Sequence, residues 1–207
     1  MASRRRWGEV MRTHAAPDPT LIEVPERLET PRLVIAMPRA GDGISLNAAV
    51  CESLDELKPW MPWAQVAPTP EQSEGVARRM QARFLLREDL AYYVFERTAD
   101  ANATGRLLGG VGLHRFDWVL RRFEIGYWLR SSAQGRGLAC EAVQAISELA
   151  FGPFRARRVE IRMDAQNERS RAVAERCGFE FEGILRCDTL GVDALPCDTR
   201  VYSKIRR

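Results

Sequence analysis

The sequence predicts a mixed α+β fold: a mostly antiparallel, twisted sheet of about seven strands with about four flanking helices. Three observations carry this. Three segments in a row, Ala91–Arg97, Arg106–Phe116 and Arg122–Leu129, are rich in aromatic and β-branched residues and have short connections, which makes an antiparallel meander. Two later segments carry apolar residues at helical spacing, and each is preceded by a strand-like stretch. The chain then closes on two further strand-like stretches, 179–188 and 198–205, so helices and strands share one sheet.

The elements follow in order. Residues 1–27 read as a flexible extension punctuated by prolines, and residues 28–207 as one domain. The first strand is 32–38, with Pro31 before it and Pro38 ending it. Residues 41–54 read as a helix capped near Asp42, and the proline-rich, aromatic stretch 58–70 as a loop. Val76, Met80, Phe84 and Leu85 recur at helical spacing within a helix from Glu71 to Glu88. After the meander, Leu138, Ala142, Ala145, Ile146 and Leu149 share one helix face, which Gly152 and Pro153 terminate. A strand at 157–164 precedes a second helix, 168–177, ended by Gly178.

Composition narrows the function classes. With 45% hydrophobic and 29% charged residues, the 207-residue chain has an ordinary globular balance. No apolar run approaches the roughly 18 residues of a membrane span, and the first residues lack the apolar centre of a secretory signal, so a cytoplasmic protein is expected, with no membrane partner. The five cysteines are spread out and contain no C-x-x-C pair, which speaks against a disulfide framework or a zinc site; no metal is expected. The net charge of +3 is accounted for by residues 1–12, with four arginines and one glutamate; if Met11 is an alternative start, that cluster matters little. A neutral body argues against nucleic acid as a partner. A homodimer is compatible with this reading.

The junction "SSAQGRGLACEAV", 131–143, carries the chemistry. A helix N-terminus leaves backbone N–H groups unsatisfied and favours anions, and glycines let a phosphate approach the chain closely. Gln134, Gly135, Arg136, Gly137, Leu138 and Ala139 therefore form a candidate diphosphate cradle, with Arg136 as a mobile cation; a tight turn between strand and helix is the plainer alternative. The string G-x-x-x-x-G-K-S/T of nucleoside triphosphate loops does not occur. Gly135 to Cys140 follows the dinucleotide pattern G-x-G-x-x-G except at the last position, but five residues separate it from the strand and Cys140 is too large for close helix packing.

Gln134-x-x-Gly137-x-Ala139 resembles the Gln/Arg-x-x-Gly-x-Gly/Ala acetyl-CoA motif of the GNAT superfamily of N-acetyltransferases. Around it "FEIGYWL", "QGRGLACEAV", "NERSRAVAERCGFEFEGILR" and "DTRVYS" resemble, in order and spacing, the Rim-type (RimJ/RimL-like) ribosomal-protein N-terminal acetyltransferases, as do "LETPRLVIAMP" and "WMPW". The likeness spans about residues 28 to 205 and implies the GNAT fold, with acetyl-CoA as cosubstrate. It implies that the fourth predicted strand, Phe123–Leu129, and the strand Arg158–Asp164 splay apart to admit the pantetheine arm. The backbone of Tyr127, Trp128 and Leu129 would then pair with that arm and offer an N–H to the thioester oxygen.

Alternation sets Phe123, Ile125 and Tyr127 on one face and Glu124, Gly126 and Trp128 on the other. If the first set packs on helices, Glu124 faces the acceptor, and the resemblance gives it the role of general base. A solvated glutamate paired with Arg121 or Arg122 is the structural alternative. The tyrosine that many GNAT members carry seven residues after the motif asparagine is absent, since that position is Ala174. The Rim-type pattern instead sets a serine near the sulfur, here Ser170, with Asn167 capping the helix and bonding the cofactor arm. An ordinary first-turn serine is the alternative. His114 lies on a predicted strand and His14 in the tail, so a histidine triad lacks parts. Cys140 reads as a packing residue rather than an acyl-carrying nucleophile, which favours direct transfer in a ternary complex.

Only a neutral amine attacks. An α-amino group, with a pKa of about 7.7 to 8.0, is substantially neutral near pH 7.5, whereas lysine at about 10.4 is neutral in roughly a thousandth of molecules. A protein N-terminus is therefore the expected acceptor; a small-molecule amine (an antibiotic, a polyamine or an amino-acid-like compound) is the alternative. By resemblance Trp60 and Trp63 border the acceptor cleft, as a wall for the acceptor or as loop anchors. A non-catalytic acyl-CoA sensor, or a structural protein with a relic cradle, is the reading from other function classes.

Overall fold

The computed structural model describes residues 18–100 and 104–206. The arginine cluster, Met11 and His14 lie outside the described residues. The strands are β1 (Arg27–Glu29), β2 (Leu33–Ala36), β3 (Leu90–Arg97), β4 (Thr104–Asp117), β5 (Arg122–Leu129), β6 (Arg158–Asp164), β7 (Glu180–Leu190) and β8 (Pro196–Ile205). The helices are α1 (Gly43–Glu52), α2 (Leu54–Leu57), α3 (Pro70–Leu85), α4 (Leu138–Phe151) and α5 (Glu168–Arg176). All eight strands form one sheet in the order β1-β2-β3-β4-β5-β6-β8-β7. Every neighbouring pair is antiparallel except β5 and β6.

Strand alternation divides the core into two layers. Leu33 and Ile35 of β2 join Phe123, Ile125, Leu138, Val143 and Ile146 beneath α4, while Val34 joins Leu46, Val50 and Ala77 beneath α1 and α3. Phe123 and Ile125 are thus buried on the α4 side, as their alternation predicts.

Two elements exceed the sequence expectation. β1 has three residues, Arg-Leu-Glu, too few and too polar to register as a strand. The helix predicted over 41–54 breaks at Ser53, whose hydroxyl donates to the Ala49 carbonyl (2.8 Å), and restarts as the single turn α2. Asp42 stands at the N-cap of α1 but its carboxylate accepts the Arg39 N–H (2.7 Å) instead of a helical one. The segment before residue 28 also contributes to packing: Val24 is buried in the core and Tyr92 Oη donates to the Pro25 carbonyl (2.8 Å).

Candidate active site

β5 is where the sheet opens. It pairs with β6 only at Arg122, Phe123 and Glu124, whereas its pairing with β4 runs on to Leu129. From Ile125 onward one edge of β5 therefore has no strand beside it. The Arg130 N–H donates to Leu108 of β4 (2.8 Å). Strand alternation turns the N–H groups of Tyr127 and Leu129 the other way, into the opening. A cleft of about 970 Å³ passes through it, lined by Glu124, Tyr127, Trp128, Gly137, Asn167 and Ser170 among others.

On the α4 side the cleft meets the glycine junction. Gly135 and Gly137 have φ of +72° and +75°, and Gly137 is the N-cap of α4. Those left-handed conformations exclude most side chains. A Cβ on Gly135 would meet nothing within 4 Å, so the space above the loop is open. The Glu141 N–H is bonded to the Gly137 carbonyl (3.2 Å), which leaves the N–H groups of Leu138, Ala139 and Cys140 without intrahelical acceptors. Arg136 is half exposed and 4.0 Å from Glu96. Gln134 is engaged within the protein: Nε2 donates to the Leu129 carbonyl (3.2 Å) and Oε1 accepts from Arg169 (3.1 Å). Cys140 is half-buried against the core, and the neighbouring Cys177 thiol is pushed up to about 12 by burial and by Cys140.

Buttresses that the local sequence pattern does not reveal hold this loop. Arg32 donates to Glu141 (2.6 Å) and to the Arg136 carbonyl (2.9 Å), and Thr30 Oγ1 donates to Glu141 (2.6 Å). Burial would raise the Glu141 carboxyl, but the bonds from Thr30 and Arg32 outweigh it and hold it below its usual range. At the start of the junction the buried Arg130 guanidinium pairs with Glu52 and donates to the Leu107 carbonyl (2.9 Å). Glu52 also accepts the Ser132 N–H (3.0 Å), and Ser131 donates to Glu56 (2.6 Å). These contacts tie α1 and α2 to the loop that leads into α4. Arg130 holds the Glu52 carboxyl at about 2. The stability this lowered pKa contributes is complete above the usual carboxylate range and is lost as pH falls through about 2. Glu52→Ala strands a buried guanidinium and is expected to cost about 2 to 3 kcal/mol, measured by urea unfolding at pH 7; a loss under about 0.5 kcal/mol would contradict this.

Ser170 lies in the first turn of α5, and Asn167 caps that helix by accepting the Ser170 N–H (3.0 Å), as the sequence predicts. Ala174 is buried, so no tyrosine reaches the cleft from that position. One does arrive from β5: Tyr127 Oη donates to the Ser170 carbonyl (3.1 Å) and lies 2.9 Å from Ser170 Oγ. Burial pushes the Tyr127 phenol above its ordinary value, and the Ser170 contact offsets part of this. The sequence pattern pointed to the Tyr127 backbone only; its side chain was legible as the face-mate of Ile125.

On the opposite face stands Glu124. Its side chain is 15% exposed, and its charged neighbour is Arg115 at 3.7 Å, in place of the Arg121 or Arg122 of the structural alternative. Arg115 is aimed by an irregularity in β4 between His114 and Asp117, where it adopts φ of +42°. Burial raises the Glu124 carboxyl; Arg115 and Arg162 draw it back, and Glu160 adds to the rise. Trp60 lines the cleft beyond, with Pro59 and Met61. Trp63 does not line it: its ring meets Trp128 edge-on at 5.9 Å, which fixes the loop. Among the described residues no group of three His, Cys, Asp or Glu side chains could hold a metal ion. No helix among them is long and apolar enough to cross a membrane.

Comparison with known proteins gives a consistent pattern. The Acetyltransferase (GNAT) domain family matches residues 32–180. The ribosomal-protein-serine acetyltransferase of Escherichia coli (strain K12) is 26% identical over 163 residues, 77% of this chain and 85% of that protein. YdaF of Bacillus subtilis (strain 168) is 40% identical over 103 residues; the match spans half of this chain and just over half, 56%, of YdaF. Among solved structures, the microcin C7 self-immunity acetyltransferase MccE, in complex with acetyl-CoA and AMP, superposes with a TM-score of 0.79 at 20% identity over 88% of this chain and 98% of that one. RimL, a ribosomal L7/L12 α-N-protein acetyltransferase in complex with coenzyme A, gives 0.77 at 20% identity over 87% and 98%. These two structures share the fold of this chain.

Proposed function

The chain belongs to the GNAT acetyltransferase family, and from that premise we propose that it transfers acetyl from acetyl-CoA to the α-amino group of a protein N-terminus. One observation carries this reading: the opening beside β5 joins a glycine-rich helix N-terminus on one face of the sheet to a largely buried carboxylate on the other. The N–H groups from Gly135 to Ala139 bind the diphosphate, and Arg136 screens it. The outward N–H groups of Tyr127 and Leu129 hold the pantetheine arm and the thioester oxygen. Asn167 and Ser170 flank the arm from α5.

Glu124 takes the proton from the attacking amine, directly or through a water. Its raised pKa makes it a stronger base than an exposed glutamate. The Ser170 hydroxyl, with the Tyr127 phenol 2.9 Å away, supplies the departing thiolate with a proton donor. A single carboxylate base suits an amine that is already partly neutral, which favours an α-amino group over an ordinary lysine. The names of the ribosomal-protein acetyltransferase relatives support the same acceptor class. Trp60 forms a wall for the first residues of such a peptide.

The test is a melting curve with acetyl-CoA followed by thiol release on peptides beginning with serine or alanine, on polyamines and on aminoglycosides. Acetyl-CoA is expected to raise Tm, and the peptides to release thiol. Turnover confined to the small amines would move the acceptor to that class; a raised Tm with no turnover would favour a sensor.

A further inference from the structure

His114 has the partner that the sequence does not show. Asp89, in the turn between α3 and β3, lies one step beyond the Leu90–Leu113 pair, and its Oδ1 is 2.8 Å from His114 Nδ1. Arg83 lies 3.3 Å from the other Asp89 oxygen. With Nδ1–H donating to the Asp89 carboxylate, the neutral ring keeps its lone pair on Nε2. The ring has a fitted seat. Gly112 and Gly126 are direct partners across β4 and β5; a Cβ on Gly126 would collide with the imidazole, 2.8 Å from Cδ2 and 3.0 Å from Nε2, and one on Gly112, already blocked by the Leu90 carbonyl at 2.6 Å, would come within 3.2 Å of Cε1. The imidazole therefore lies over this glycine pair, with Nε2 toward β5 and toward the residue Gly126, which lines the cleft. His114 is in turn the direct cross-strand partner of Glu124. Such partners share a face with Cβ atoms about 5 Å apart.

We propose that His114, oriented by Asp89, receives from Glu124 the proton that Glu124 takes from the attacking amine. This rests on the reading of Glu124 as base. In the first step the amine N–H bond breaks and an O–H bond forms on Glu124. In the second that O–H breaks and an Nε2–H bond forms on His114, directly or through one water. The imidazolium, paired with Asp89, then yields its proton to solvent along its exposed edge. No oxidation state changes, and Glu124 returns to the carboxylate. A relay has work to do here because burial favours the protonated carboxyl. The charges facing Glu124 are Arg115 from β4, Arg162 and Glu160 from β6, and His114; those facing His114 are Glu124 and Asp89, with Arg83 behind the latter. His114 does not line the cleft and acts through Glu124.

Steady-state kinetics on a hexapeptide beginning with serine test this. His114→Ala vacates a ring-sized seat over the two glycines. We expect kcat to fall about 10- to 100-fold, KM for acetyl-CoA to stay within about twofold, and added imidazole to restore much of the rate, more so for substituted imidazoles of higher pKa. Asp89→Asn, which leaves the ring in its seat, is expected to give a smaller loss and to shift the acid limb of the pH profile. In the His114→Ala, Glu124→Gln double variant, imidazole restores nothing. Parent-like kcat in His114→Ala, or a loss that no imidazole restores together with an unaltered pH profile in Asp89→Asn, would overturn the relay while an impaired Glu124→Gln leaves the base in place. A parent enzyme silent on the peptide would instead remove the reading on which the relay rests.

Discussion

Replacing Glu124 with glutamine is expected to lower kcat by about 10²- to 10⁴-fold, the span of a lost general base, while the affinity for acetyl-CoA holds. The same substitution is expected to make the protein more stable. The Glu124 carboxyl is raised by burial in the folded state, so the folded protein binds a proton that the unfolded chain has released. Stability therefore falls as pH climbs from the ordinary glutamate value to the raised one, so that ionising the buried carboxyl is a net cost. Glutamine removes that cost, and Tm at pH 7 is expected to rise by about 1 to 4 °C, with little difference at pH 4. A variant that is slow and also less stable at pH 7 would mean that Glu124 holds the fold together and would remove the argument from desolvation. In the parent, kcat/KM declines toward acid as the carboxyl takes up its proton, with a midpoint above the usual carboxylate range.

The second large effect is on cosubstrate binding. Gly137 caps α4 at φ +75°, a conformation that costs a β-branched residue about 1 to 3 kcal/mol. Gly137→Val is expected to weaken acetyl-CoA binding by about 2 kcal/mol, roughly 30-fold, by calorimetric titration. The loop must either shift or hold methyl groups where the diphosphate would approach. Space alone is not the obstacle in the free protein: the nearest neighbour of a Cβ there is Arg32 Nη2 at 3.7 Å. Gly135→Ala is the useful companion, since its Cβ meets nothing within 4 Å. If Gly135→Ala binds acetyl-CoA weakly while melting near the parent, the ligand comes down onto that glycine. Unaltered affinity in a folded Gly137→Val would remove the cradle.

What could be read from the chain and what could not divide along sequence distance. The glycine junction, the Asn167 cap and the facing of Glu124 are local: a cap and its acceptor are three residues apart, and strand alternation needs only neighbours. The partners that position these groups are remote. Arg130 meets Glu52 across 78 residues, Arg32 meets Glu141 across 109, and His114 meets Asp89 across 25. No periodicity encodes such pairs; they exist only once the sheet order is set. β1 was missed for a different reason, since three residues paired to β2 on a single side carry too little apolar content for any pattern. Trp63 shows that an aromatic beside a cleft can be anchored away from it by another ring.

The parting of β5 and β6 after Glu124 has a consequence for traffic and for inhibitors. Under the proposed reading the two reactants approach from opposite sides of the sheet, so neither product has to pass the other on its way out. A compound that joins a short peptide's terminal nitrogen to the coenzyme sulfur by a two-atom bridge would be threaded through the gap and gripped at both ends. Its tightness would come from one tether satisfying two doorways, and lengthening the bridge would forfeit that advantage by degrees.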